Sequence, residues 1–129
     1  MPLVSVTPEE RQALRLRSIL WACTAGLAAG LVGLSGGLEP ALRAAGCGFF
    51  YGLLAFHLQR VDPDDGHLQA GLVGAVCAIR SLASPWVPQG GLSTVMMDAL
   101  RTWPPLWLPV IAAALWLQGA QRCLPSLRP

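Results

Sequence analysis

The stretch Gly46-Cys47-Gly48-Phe49-Phe50-Tyr51-Gly52-Leu53-Leu54-Ala55-Phe56-His57-Leu58, running into Gln59-Arg60-Val61-Asp62-Pro63-Asp64-Asp65-Gly66, decides the fold. Its first part is apolar and rich in small residues. Its second part is an abrupt polar turn, with turn-forming chemistry at nearly every position. A second small-residue apolar run, Ala70 to Ala83, follows at once. The pattern predicts two close-packed helices joined by a charged hairpin, with the other segments as flanks.

Composition sets the class. The chain has 129 residues, enough for one domain, with 53% hydrophobic and only 12% charged residues. A soluble domain carries about a quarter of its residues charged, so this balance, with a mean hydropathy of +0.51, predicts an integral membrane protein. The net charge is +2, and all nine basic residues are arginines. They are scattered singly, which excludes the basic cluster that nucleic-acid binding needs. Cys23, Cys47, Cys77 and Cys123 have no metal-like spacing, and three lie in apolar runs where Cys acts as a small hydrophobe. A Cys23–Cys47 bridge is one pairing the spacing leaves open.

Taken in order, Thr7-Pro8-Glu9-Glu10 reads as a helix start. Thr7 serves as N-cap, Pro8 sits where its missing N–H costs nothing, and Glu10 closes a capping box. Because acids precede Arg11, Arg15 and Arg17, no cleaved presequence is expected. The first helix, about 8–38, becomes a membrane span from Ser18 onward. It carries Ala22, Gly26, Gly30 and Gly33 at three- and four-residue spacing, a thin face that lets another helix backbone approach in lipid.

The second helix, about 40–58, repeats the design with Gly46 and Gly52 among Phe49, Phe50, Tyr51 and Phe56. His57 lies near its end and reads as an interfacial residue rather than a ligand. The aspartates of the hairpin read as a solvated turn, Asp64 or Asp65 capping the next helix, in preference to a hard-metal site. The third helix, about 67–83, keeps a thin face through Ala70, Gly71, Gly74 and Ala75. An intramembrane arginine is costly and points to function by default, but Arg80 is near enough to the helix end to reach the interface. Trp86 in the next loop reads as an interface anchor.

Residues 92–102 read as a short amphipathic surface helix or as the start of the last span. Trp103-Pro104-Pro105 interrupts the pattern, and a fourth helix is expected over 104–120. The uninterrupted apolar run is short for a span of about 20 residues, so a kinked or oblique entry is expected. The predicted fold is all-α: one polytopic membrane domain, 1–129, with four transmembrane helices packed through Gly/Ala faces and both termini on one side.

Catalytic chemistry is not expected. The sequence offers no convergent Ser/His/Asp or Cys/His set, no phosphate-cradling Gly-rich loop ending in Lys, and no His pair at helical spacing. The first three spans hold no carboxylate, unlike most channels and transporters. The chain reads as a non-enzyme without metal or cofactor, without a small-molecule substrate and without nucleic acid.

Gly46-x2-Phe49-x10-Arg60-x3-Asp64 resembles the signature of the preprotein and amino-acid transporter family, which includes the mitochondrial inner-membrane translocase channel proteins and an accessory membrane subunit of respiratory complex I. The continuation departs: Ala70-Gly71-x3-Ala75 fits the family's small-Gly-x3-Gly pattern only with one residue fewer in the turn and Ala for the last Gly. Arg80 resembles the arginine that often closes the family's third span. The resemblance covers roughly Ser18 to Ala83. It implies that the small residues bring the second and third helices together while Arg60 pairs with Asp64 across the turn. It also implies a multi-pass protein of the mitochondrial inner membrane, partnered by other membrane subunits and by phospholipids, cardiolipin among them. The compact length and acid-free spans favour the complex I accessory subunit, a brace for the membrane arm. The alternatives are a subunit of an inner-membrane preprotein translocase and a small insertase or assembly factor of the endoplasmic-reticulum membrane. The resemblance places the termini and the Arg60–Gly66 turn in the intermembrane space, although five of the nine arginines lie in the terminal segments.

Overall fold

The local signals in the chain are those of helix starts and stops. The computed structural model, which describes residues 5–62, 65–84 and 89–124, builds only helices from them. The first, α1, runs Pro8–Gly33. Glu10 N–H donates to the Thr7 hydroxyl at 3.3 Å and Thr7 N–H donates to the Glu10 carboxylate at 2.9 Å, the reciprocal capping box expected from the sequence. Replacing Thr7 by Ala removes one partner of an otherwise unpaired helical N–H and costs about 1 kcal/mol. Its expected readout is faster hydrogen exchange confined to the first turn of α1.

After α1 the chain makes a single 3-10 turn, Leu34–Gly36, and Gly37 takes φ 110°, ψ −177°. That region of backbone space is essentially reserved for glycine, and it lets the chain reverse within four residues. The second helix, α2, spans Leu38–Val61. Pro40 lies in its first turn, where a missing N–H removes no intrahelical bond. The third, α3, spans Gly66–Ala83, capped by Asp65, whose carboxylate accepts from the N–H groups of His67 at 2.9 Å and Leu68 at 3.1 Å. Of the two aspartates considered for that role, Asp64 lies outside the described residues, as does Trp86.

The last helix, α4, settles a choice the sequence left open. It runs unbroken over Leu92–Cys123, 32 residues with Pro104, Pro105 and Pro109 inside it. Of the two readings of 92–102, a short surface helix or the start of the last span, the structure takes the second, and the interruption expected at Trp103-Pro104-Pro105 does not occur. Each proline deletes one N–H donor and crowds the preceding turn. Such residues are tolerated in helices of apolar surroundings, where breaking the helix would orphan further backbone groups.

Packing also departs from the expected pairing. The tight contact is between α1 and α2, not between α2 and α3. A Cβ added at Gly48 would lie 2.6 Å from Ala29 Cβ and 2.7 Å from the Ala25 carbonyl oxygen, and one at Gly52 would lie 2.7 Å from Ala25 Cβ. From the other side, a Cβ added at Gly26 would lie 2.9 Å from the Ala45 carbonyl oxygen and one at Gly33 would lie 2.9 Å from Ala44 Cβ. Ala22, Gly26, Gly30 and Gly33 therefore form the packing face read from the sequence, and Gly52 belongs to its partner face. Gly46, Gly71 and Gly74 do not: a Cβ at each meets nothing within 4 Å. Gly46 is two residues from Gly48, about 200° around the helix, so the two cannot face the same neighbour.

Above this thin seam the core widens. Phe56 and Val110 are fully buried, and Trp21 meets Phe56 edge-on with ring centroids 5.5 Å apart. Tyr51, Ala55, Ala113, Ala114 and Leu117 complete the cluster, with Leu72, Val73 and Val76 of α3 against it. α4 thus packs on the other three helices, whereas α3 contributes only one side. Two helices, α1 with its 3-10 extension and α2, are long and apolar enough to cross a membrane. Large apolar side chains point outward along the bundle, among them Leu27, Leu31, Leu42, Phe50, Ile79 and Leu115. All four cysteines are free thiols, so Cys23 and Cys47 are not bridged.

Candidate functional site

Two features of the bundle surface are candidates for contact with other molecules, and both lie on or beside α3. The first is a groove between α2 and α3, closed at one end by the start of the apolar part of α4, with a volume of about 660 Å³. Because α2 and α3 run in opposite directions, the groove walls pair Arg43 with Ser84 at one end and Leu54 with Val76 toward the other. Gly46 and Cys47 line it from α2, and Ile79 and Arg80 line it from α3. The walls are otherwise apolar.

The charge at the polar end is uneven. Arg43 is largely exposed and donates from a terminal nitrogen to the Glu39 carboxylate at 2.6 Å, one turn away. An exposed pair of this kind is worth only about 0–1 kcal/mol. Arg80 is a different case. It is only 8% exposed, its Nε has no hydrogen-bond partner, and among the described residues no carboxylate pairs with it. A buried donor left unpaired in this way is costly, since burial strips its hydration without returning a partner. The sequence reading had Arg80 extended to the interface; the structure keeps it against the groove.

Beneath Arg80 the position of α4 is pinned by a short polar chain. Trp107 Nε1–H donates to the Ser81 hydroxyl at 2.6 Å, and that hydroxyl donates to the Cys77 carbonyl at 2.9 Å. This link was missed in the sequence, where Ser81 looked like one more small residue. Its signal was the spacing of Cys77, Arg80 and Ser81, which share one face of a helix.

The second feature is the other face of α3. Ala70, Gly71, Gly74 and Ala75 are exposed, and Gly71 and Gly74 have open space where a side chain would begin. The same residue pattern that seals α1 to α2 is here turned away from the bundle.

The motif residues scatter over these surfaces. Gly46 opens into the groove; Phe49 is half-buried, edge-on to Phe50 at 5.6 Å and close to Gly26. Arg60 is exposed in the last turn of α2, where its charge complements the helix dipole. Its expected partner Asp64 lies outside the described residues. His57 is exposed, and among the described residues no three His, Cys, Asp or Glu side chains gather closely enough to hold a metal ion. A second cleft, of about 470 Å³ between α1 and α2, is lined by residues such as Leu27, Leu31, Leu42 and Phe49, with no charged group.

Among the described residues, fold and surface define an all-helical protein of four α-helices, two of them long and apolar enough to cross a membrane. Compared with protein-family models, with curated proteins and with solved structures, the chain matches none.

Proposed function

We propose that this protein is a non-catalytic accessory subunit of a large membrane complex, with all four helices embedded in the bilayer. The observation that carries this reading is the open small-residue face of α3, at Ala70, Gly71, Gly74 and Ala75. In lipid there is little hydrophobic drive between helices, and thin faces associate because they allow close backbone contact. Inside the chain the equivalent faces of α1 and α2 have found each other. The remaining one is suited to a helix of a neighbouring subunit. The outward Leu, Ile and Phe side chains on the other faces suit contact with lipid.

The particular complex follows from the resemblance of Gly46, Phe49, Arg60 and Asp64 to the translocase-related family. It favours a structural subunit of mitochondrial respiratory complex I, which stabilises the membrane arm and its assembly from within the inner membrane. Blue-native electrophoresis of mitochondrial membranes tests it, with Gly74→Leu as the informative variant. Nothing lies within 4 Å of the new Cβ, so the chain itself should fold normally. The expected result is co-migration of the native protein with complex I and loss of most of that co-migration in the variant. Migration with a presequence translocase, or residence in the endoplasmic reticulum, overturns the assignment to complex I. A Gly74→Leu chain that still assembles fully overturns the docking role of α3.

A further inference from the structure

We propose that the groove between α2 and α3 is a binding site for one anionic phospholipid, with its phosphodiester on Arg80 and one acyl chain lying between the helices. This rests on the reading that the helices are embedded in a membrane.

Three observations converge on that occupant. The first is Arg80, a buried guanidinium whose Nε donor has no partner in the chain. A group of this kind calls for an anion from outside, and a phosphate oxygen matches the planar donor set of arginine well. The second is charge accounting at the groove's polar end. Glu39 already answers Arg43, which leaves the charge of Arg80 to be met by one negative headgroup. A zwitterionic headgroup brings its own ammonium and meets it less well. The third is shape. From Arg43 to Leu54 the groove follows three turns of α2, about 16 Å at the helical rise, close to the depth of one leaflet in a hydrocarbon core about 30 Å thick. Beyond the arginines its walls are Phe50, Leu54, Val76 and Ile79, which offer an acyl chain nothing polar.

Gly46 acquires a role in this arrangement. A Cβ built on it would meet no neighbouring element within 4 Å, and it lines the groove. Its missing side chain provides space for the lipid rather than for a helix. A leucine there would fill the groove and leave the α1–α2 seam, on the opposite face, untouched.

The test is native mass spectrometry of the full chain in mild detergent, with phosphatidylglycerol or phosphatidylcholine added in turn. Carbonate extraction of the membranes from which the chain is purified runs beside it. One phosphatidylglycerol should be retained per chain, and phosphatidylcholine should not. Arg80→Gln should lower retention about tenfold, the scale of one lost charge-assisted contact, and Arg80→Lys should restore part of it; Gly46→Leu should lower retention by filling the acyl slot. Circular dichroism confirms that each variant keeps its helix content; because Gly46→Leu leaves every charge in place, it tests the acyl slot independently of Arg80. Equal retention of phosphatidylcholine, or undiminished phosphatidylglycerol retention in both variants, overturns the proposal. So does displacement of the lipid by inorganic phosphate at millimolar concentration, which would make the site a phosphate site. Release of the chain by carbonate overturns the embedded reading, and is recorded separately from the lipid result.

Discussion

Gly48→Leu should destroy the packing of the bundle. The glycine sits where α1 and α2 come closest, its absent Cβ 2.6 Å from Ala29 Cβ, 2.7 Å from the Ala25 carbonyl oxygen and 3.1 Å from Gly26 Cα. Two of these three obstacles are backbone atoms, which cannot turn aside as a long side chain can. The helices must separate, and with them the contacts of Gly26, Gly30, Gly33 and Gly52 along the same seam. Overpacking a tight site typically costs about 1–3 kcal/mol, and obstruction by backbone belongs at or above the upper end of that range. Unfolding of the detergent-solubilised protein by titration with a denaturing detergent, followed by circular dichroism, measures the loss. Gly71→Leu is the matched control, because its Cβ meets nothing within 4 Å; it should unfold at nearly the wild-type midpoint. If both variants unfold alike, the α1–α2 seam is not the tight contact of this fold.

Phe56→Ala should have the second-largest effect. Phe56 is fully buried and its ring meets Trp21 edge-on at 5.5 Å. Truncation leaves a cavity at the junction of α1, α2 and α4. For a membrane-embedded chain the transfer part of the cost shrinks, because lipid is as apolar as the core. The lost dispersion contacts and the ring-edge interaction remain. The expected loss is about 3 kcal/mol, the lower end of the range for such truncations in soluble cores. The same unfolding titration reads it, and Phe56→Leu should recover roughly half, since a branched aliphatic fills part of the space. A loss no larger than that of an exposed site such as Phe50→Ala would mean that the cavity collapses, and that this junction is soft.

How much of this could be read beforehand depends on the range of the interactions involved. The starts of α1 and α3 were legible because capping is completed within three residues: Thr7 with Glu10, and Asp65 with His67 and Leu68. The thin face of α1 was legible because its spacing is visible in one segment. The thin face of α2 was only half legible. Ala41, Ala44, Ala45, Gly48 and Gly52 make a continuous row at helical spacing, yet Gly46, on the opposite face, drew the reading toward α3. Two residues apart, Gly46 and Gly48 lie on nearly opposite sides of the helix. The prolines of α4 misled in another way. Their cost is local and certain, but whether the helix breaks depends on what surrounds it, and that is a tertiary property.

The candidate site followed the same division. Arg80 was noticed for its charge and for its place near a helix end, and both remain correct. Its burial was not legible, because burial of α3's inner face depends on α4 crossing near Trp107, linked to it through Ser81. Arg60 was read as part of the polar turn beyond a helix ending near 58; the structure carries α2 on to Val61 and leaves Arg60 exposed in its last turn.

The stretch from Gly46 to Gly66 therefore divides cleanly. By itself the sequence determined that it is a small-residue helix ending in a polar turn, since apolar periodicity, capping and turn chemistry act over a few residues. Which face of that helix is sealed and which is open depends on the neighbours that pack against it. A helix with glycines on two sides can accept a neighbour on either, and the choice went to α1, whose own row of Ala22, Gly26, Gly30 and Gly33 matched it in depth. Gly46 was left facing the groove beside Arg80.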